Sequence, residues 1–442
     1  MAERGFASVP DGPRYIIADA TVPGVLLDAP GIEPDADGLT HVDIAVADGK
    51  IAAIGAAGTF GGDAPRLDLR RGMAWPTFVD MHTHLDKGHI WPRKPNPDGT
   101  FMGALDAVAD DRSANWSAED VMRRMDFALR SAYAHGTSLI RTHLDSVAPQ
   151  HRISWPAFAE MRAHWAGRID LQAVSIVGVE LLRDVDYANE LADTVAAHGG
   201  VLGCVTYMVP DLDALVEAVM RRAMERGLDL DFHVDETGDP EAHSLRIIAD
   251  TAIRLGFAGR IVAGHCCSLA VQPADEAAAT MERVAEAGIA VVSLPMCNMY
   301  LQDRVAGRTP RWRGVTLVHE LMTSDVPVAV ASDNTRDPFY AYGDLDMVEV
   351  FREAVRILHL DHPISSWAGL VARAPAEIIG GGDSHGLIAA GRDANLVVFR
   401  ARTWTELLAR PQSDRTVIRA GRPIDRTLPD YRELDDLVGM SG

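Results

Sequence analysis

Two histidines two residues apart, His82 and His84, close the apolar run Ala74–Met81. Alternate residues of a strand project to one face, so the two imidazoles leave a buried strand together and can share one metal ion. Three further apolar runs end in groups suited to the same chemistry. Leu228–Phe232 runs into His233 and Glu236, Arg260–Gly264 into His265, and Val326–Ser332 into Asp333 and Asn334. A parallel barrel gathers the C-terminal ends of its strands on one face, where enzymes of that architecture place their chemistry. Four strand ends agreeing in this way point to a metal-dependent enzyme and away from scattered buried histidines.

The elements that must position these groups follow from the pattern. Apolar strands alternate with amphipathic helices, with strand starts expected near Ala74, Thr137, Ile169, Gly200, Leu228, Arg260, Ile289 and Val326. The clearest helix is Ala118–Ala134, capped by Ser117. Eight such alternations predict an α/β fold, a (β/α)8 TIM barrel over residues 76–382 that carries the catalytic site. Residues 1–75 and 383–442 read as short strands and predict a small β-sandwich domain formed by both chain ends. Within it, Asp48-Gly49 between two alternating segments predicts a tight hairpin. Two long connections, Asp86 to about Ser117 and Met296 to Gly314, fall on the face where the candidate ligands converge and are candidates for a lid or substrate pocket.

Composition bounds the partners. With 442 residues, 47% of them hydrophobic, the chain can bury one large core and still build a smaller domain. A formal net charge of −21 repels phosphate backbones, and no basic stripe offsets it, so a nucleic acid polymer is not an expected partner. A small neutral or cationic molecule fits better. The four cysteines, Cys204, Cys266, Cys267 and Cys297, show no paired spacing, which suits a reduced, cytoplasmic setting. The first residues do not read as a signal peptide, and no run approaches a membrane span. Oligomeric state is not legible, although barrels of this kind often assemble.

The order His82-x-His84, His233-x-x-Glu236, His265 and Asp333, inside a barrel flanked by a split β-domain, resembles the amidohydrolase superfamily. Longer segments, Phe78–Asp86, Arg141–Asp145, His233–Glu236, Leu301–Arg304 and Asp333–Tyr340, are similar to its bacterial cytosine deaminase branch. The resemblance covers nearly the whole chain. It implies one divalent metal held by His82, His84, His233 and Asp333, a donor set that admits Zn²⁺ or Fe²⁺. No lysine lies in Gly200–Tyr207 to bridge a second ion. The resemblance further implies a metal-activated water attacking a ring carbon that bears an exocyclic amine. Glu236 would carry the proton from water to the ring nitrogen, Asp333 and His265 would orient the water and stabilise the adduct, and ammonia would leave.

Substrate contacts are expected from Lys87, Trp91 and Arg93 in the first long loop, His143 at the second strand end, Asn298 and Gln302 as amides, and Phe339 as a cover over the ring. Two departures from the branch bear on the substrate. Gly178 stands where cytosine deaminases of this type carry a glutamine, and Asn334 stands where they carry a second acid. An amide donates and accepts where a carboxylate only accepts, so the pocket reads a different edge. Both changes favour a larger aminated heterocycle, a pterin or purine-like ring, using the space vacated at Gly178. Competing readings are hydrolysis of a cyclic amide or of an N-substituted triazine, and a metal-stabilised binding protein without catalysis, for which Glu236 and His265 would be superfluous. The zinc nucleoside deaminase pattern of His-x-Glu with Cys-x-x-Cys is absent.

Overall fold

The computed structural model describes residues 4–440. Eight strands recur along the chain, β1 (Phe78–Thr83), β2 (Thr137–Asp145), β3 (Asp170–Ile176), β4 (Val205–Thr206), β5 (Leu230–Val234), β6 (Ile261–His265), β7 (Ile289–Ser293) and β8 (Val328–Val330). Strands β4 to β8 form one sheet in chain order with every neighbouring pair parallel. Strands β1 to β3 form another, again in chain order. Isolated parallel bridges Val174↔Val201 and Gly178↔Val205 join β3 to the β4 segment, and Thr83↔Asp333 joins the end of β1 to the residues after β8. Every connection between successive strands carries at least one helix, among them Ala118–His135, His151–Trp165, Val185–Ala197, Leu212–Arg226, Ser244–Leu255 and Ala274–Glu286. Helices on a parallel sheet bury the strands, which is why β1, β2 and β5 to β8 are buried at every residue.

The expected boundaries shift where backbone chemistry intervenes. Ala74–Pro76, expected to open the first barrel strand, is a separate strand paired antiparallel with Leu396–Val398. Pro76 has no N–H to continue a ladder, and from Phe78, whose N–H meets the Gly136 carbonyl at 3.0 Å, the chain has changed partners. The strand expected from Gly200 is a ladder only at Val205–Thr206, with single bridges at Val201 and Leu202, because Gly200 and Gly203 interrupt it. The first long connection is not bare loop. It contains the helix Phe101–Asn115, whose cap Thr100 accepts from the Gly103 N–H at 3.0 Å. The helix after it starts where expected, with Ser117 Oγ accepting from the Asp120 N–H at 3.2 Å.

Two compact units divide the chain. One comprises the N-terminal segment through Asp80, Arg130–Leu139 and Asp346–Pro429; the other comprises Met81–Leu129, Ile140–Leu345 and the residues from Asp430. The first unit holds two four-stranded sheets, Lys50–Ala56, Leu39–Ala47, Arg14–Pro23 and Arg66–Asp68 in one, and Arg422–Pro423, Thr416–Arg419, Leu396–Val398 and Ala74–Pro76 in the other. Ile17, Val42, Ile44, Leu67, Leu396, Val398 and Ile418, from both ends of the chain, share one apolar cluster. The expected hairpin is present. Ala47 pairs with Lys50, and Asp48 and Gly49 between them have φ of 52° and 83°, the positive values a type I′ turn needs. Among the described residues no helix is long and apolar enough to cross a membrane.

The same unit buries an ion pair. Arg415 holds Asp346 through two bonds of 2.6 and 2.7 Å, and its remaining N–H groups reach backbone carbonyls of Gln412 and Pro411 at 2.9 and 2.8 Å. Burial works to raise the Asp346 carboxyl, but the Arg415 guanidinium outweighs it and holds the acid well below the usual carboxylate range. Removing one partner of such a pair leaves an uncompensated buried charge, so Arg415→Met should lower unfolding free energy by about 3–5 kcal/mol in a urea titration at neutral pH. A depressed carboxyl stabilises the fold above the unfolded-state pKa of about 4 and loses that contribution as the pH falls further. The wild-type advantage over the variant should therefore shrink on acidification below that value.

Candidate active site

Strand β1 delivers His82 and His84 to one face, and the Asp333 N–H donates to the His82 carbonyl at 2.9 Å, tying the end of β1 to the residues after β8. His233 on β5 lies level with Gly264 on β6. That glycine makes room for an imidazole: a Cβ there would stand 2.9 Å from His82 Cε1 and 3.2 Å from its Nδ1. The four side chains converge in the interior. His82 Nε2 is 3.2 Å and His84 Nε2 3.3 Å from His233 Nε2, while Asp333 Oδ1 is 3.2 Å from His84 Nε2 and 3.7 Å from His82 Nε2.

These separations have a simple reading. Nitrogen and oxygen donors at about 2.0–2.1 Å from a tetrahedral zinc ion stand about 3.3 Å from one another. As hydrogen bonds the contacts are frustrated, because His233 Nε2 faces two other imidazole nitrogens and carries at most one proton. A shared cation resolves the conflict. Burial, reinforced by neighbouring positive groups, drives His82, His84 and His233 far below the ordinary imidazole pKa, leaving them in the neutral form that offers a lone pair. The donor set thus fits a divalent ion.

Glu236 and His265 adjoin this cluster. Glu236 Oε1 lies 3.4 Å from His265 Nδ1 and accepts from the Asn298 amide at 3.3 Å. The same amide reaches His265 Nδ1 at 2.9 Å, and the Gln302 side chain donates to the Glu236 backbone carbonyl at 3.1 Å. Burial first, then the nearby Asp333 charge, raise the Glu236 carboxyl well above the ordinary range. A carboxyl raised in this way holds a proton more readily than an ordinary one and can serve as a proton carrier. Burial pushes His265 down to about 3, so it is neutral. His265 and Asp333 sit at φ of 69° and 65°, left-handed values that cost side-chain-bearing residues energy and recur where a site fixes its groups.

The other expected residues divide. His143 is buried with its ring centroid 4.0 Å from that of His82, and the nitrogens of His82, His143 and His233 fall within 4.8 Å of one another. Lys87 is not a solvated loop charge. It is buried, with Nζ 3.0 Å from Asp145 Oδ1 and 5.3 Å from the Phe339 ring centroid, while Arg112 takes the other Asp145 oxygen at 2.9 Å. Burial opposes the Lys87 ammonium, and the Asp145 and Asp86 carboxylates overcome it and keep it charged. Asn334 is occupied within the protein, donating to Asp337 Oδ2 at 2.7 Å and accepting from the Cys297 thiol at 3.6 Å. Trp91 is half-buried and anchored by its backbone N–H on the Arg336 carbonyl at 2.9 Å. Arg93 is drawn elsewhere: its donors meet Asp111, Asp120 and the Leu437 carbonyl at 2.6–3.2 Å. Gly178 lies just past β3, and the space beside it holds the Glu180 carboxylate. Neither Asp145 nor Glu180 was singled out by sequence reasoning. Asp145 had a signal, the alternation of acid with histidine in Arg141–Asp145 that echoes His82–Asp86.

Residues 177–425 match the amidohydrolase family, and the chain belongs to it. It is a hydrolase acting on carbon–nitrogen bonds, in the deaminase-like branch of a superfamily whose members bind a divalent metal. The chain is 59% identical over 434 residues to the pterin deaminase of Rhizobium rhizogenes, covering 98% of this chain and 99% of that one. The N-isopropylammelide isopropyl amidohydrolase of Pseudomonas sp. is 23% identical over 350 residues, covering 76% of this chain and 81% of that protein. Among solved structures, the 5-methylcytosine deaminase of Klebsiella pneumoniae aligns with a TM-score of 0.80 at 24% identity, over 94% of this chain and 98% of that one. The last likeness carries the architecture, a TIM-barrel-type α/β fold.

Proposed function

We propose that this chain is a metal-dependent hydrolytic deaminase of pterins, releasing ammonia from the carbon that bears the exocyclic amine. The observation that carries this reading is the placement of the Glu236 carboxyl 3.4 Å from His265, beside the cluster of His82, His84, His233 and Asp333. The likeness to a pterin deaminase over nearly the full chain supports the substrate class.

The metal ligands in this reading are His82, His84, His233 and Asp333, for one ion, Zn²⁺ or Fe²⁺. When bound, such an ion lowers the pKa of a coordinated water toward neutrality and so supplies the nucleophile. Glu236 accepts the water proton and delivers it to the ring nitrogen next to the attacked carbon, then to the departing amine. With the Asn298 amide donating to Nδ1, the proton of neutral His265 is assigned to Nε2, where it can donate to the oxygen of the tetrahedral adduct. Lys87, held by Asp145, and Phe339 beneath it offer a cation and an apolar face to the ring; Gln302 and Asn298 brace Glu236. In this reading the strands β1 to β8 close into the catalytic barrel, over about residues 76–382, and a β-sandwich is built from residues 1–75 and 383–442, which the apolar cluster shared by the two four-stranded sheets supports. Four free, buried cysteines support a cytoplasmic setting.

Ammonia release from pterin, guanine, isoguanine and cytosine tests the reading. Pterin should lead cytosine in kcat/KM by about 10²-fold or more, because a pocket built for two rings leaves its polar groups unpaired around one. Turnover of cytosine alone overturns it, as does a product showing loss of an alkylamine or opening of the ring.

A further inference from the structure

The space beside Gly178 is taken by the chain itself. A Cβ on Gly178 would stand 2.5 and 2.6 Å from the two carboxylate oxygens of Glu180, so this carboxylate lies where a side chain from the end of β3 would project. Tyr207, the residue after β4, donates its hydroxyl to Glu180 Oε2. Burial first raises the Cys204 thiol, and the Glu180 charge raises it further, so the carboxylate makes itself felt at the residue just before β4. Arg183, on the same short turn, is committed to Asp211 by bonds of 2.6 and 2.8 Å. Glu180 is half-buried and Tyr207 is 41% exposed, which puts the pair at a rim that solutes reach.

Register fixes its place relative to the chemistry. Gly178 is bridged to Val205 of β4, and Val205 is level with His233 of β5. Two inter-strand steps of about 4.8 Å each therefore separate Gly178 from a proposed metal ligand. A fused two-ring heterocycle reacting at the ligand cluster spans that gap, whereas a single six-membered ring falls short. Glu180 would meet the second ring.

A carboxylate only accepts hydrogen bonds. The nitrogens of a fully aromatic pyrazine ring also only accept, so the two repel. An oxo-substituted or reduced second ring carries an N–H, which complements the carboxylate. Resting on the deaminase reading above, we infer that Glu180, braced by Tyr207, is a specificity-determining residue that selects pterins bearing an N–H on the second ring over fully aromatic ones.

The test compares kcat/KM for ammonia release from 7-oxopterin, pterin and isocytosine, the last being the reacting ring alone. Wild-type enzyme should favour 7-oxopterin over pterin by about 5-fold or more, roughly the worth of one hydrogen bond that a carboxylate makes to an N–H and cannot make to a ring lone pair. Glu180→Gln should collapse that ratio at least several-fold while leaving isocytosine within about twofold, since an amide can donate to a ring lone pair. Tyr207→Phe should move the ratio the same way by less, and decides the matter if Glu180→Gln fails to fold. An unchanged ratio, or isocytosine falling in parallel, overturns the inference. Wild-type turnover of pterin with no preference for the N–H ring sinks the inference and leaves the deaminase reading standing; no ammonia from any of the three sinks both.

Discussion

Glu236→Gln should retain its divalent metal and lose deamination by about 10²–10⁴-fold in kcat, the range that a positioned proton carrier contributes. The substitution keeps the size and shape of the side chain, and an amide oxygen can still accept from Asn298, whose Nδ2 lies 3.3 Å from Glu236 Oε1. What it removes is the capacity to take a proton and give it back. Elemental analysis beside steady-state kinetics distinguishes the possibilities. Glu236 also stands within ligand reach of Asp333 and Cys297, the three donor atoms lying within 4.8 Å of one another. Loss of metal together with activity would therefore move Glu236 into the coordination sphere and remove it from the role of proton carrier. Full metal with full activity would remove it from the mechanism altogether.

Exhaustive chelation should abolish turnover, and one equivalent of Zn²⁺ or Fe²⁺ per chain should restore it. The metal-free protein should remain folded, because the strands beneath the site are buried in an apolar core and the three imidazoles are already neutral. Its thermal midpoint should fall, since a ligand that binds only the native state at about 100 times its dissociation constant adds roughly 2.7 kcal/mol. Circular dichroism and a melting curve before and after chelation supply the structural control. Unimpaired activity in metal-free protein would refute the site. A stoichiometry of two would bring in His143, whose nitrogens lie among those of His82 and His233.

Much of this site could be read from the chain because its donors close strands. A strand end is visible as the point where an apolar run stops; β1, β5 and β6 each stop at or next to a histidine or aspartate, and β8 ends three residues before Asp333. Where local chemistry opposes the pattern, reading fails. Ala74–Pro76 is apolar enough to pass for the start of β1, but Pro76 hands the chain to another sheet. Phe101–Asn115 lacks a continuous apolar stripe, so a helix hides within what looks like a loop. Glu180 was illegible for a different reason. Alignment asks what stands at a position, and the group that fills the space beside Gly178 comes from two residues further on, folded back through a turn. Lys87 and Arg93, similar on paper, separate only in three dimensions, one toward Asp145 and Phe339 and the other toward Asp111 and Asp120.

Gly264 supplies no donor, no proton and no charge, yet the imidazole of His82 rests where its side chain would be. A genome search keyed only to histidines and acids would admit sequences that bear alanine or valine at this point. Such sequences can keep every reactive group and still be unable to seat the first histidine, so an absent methyl belongs in the signature of the active enzyme as firmly as the imidazoles do.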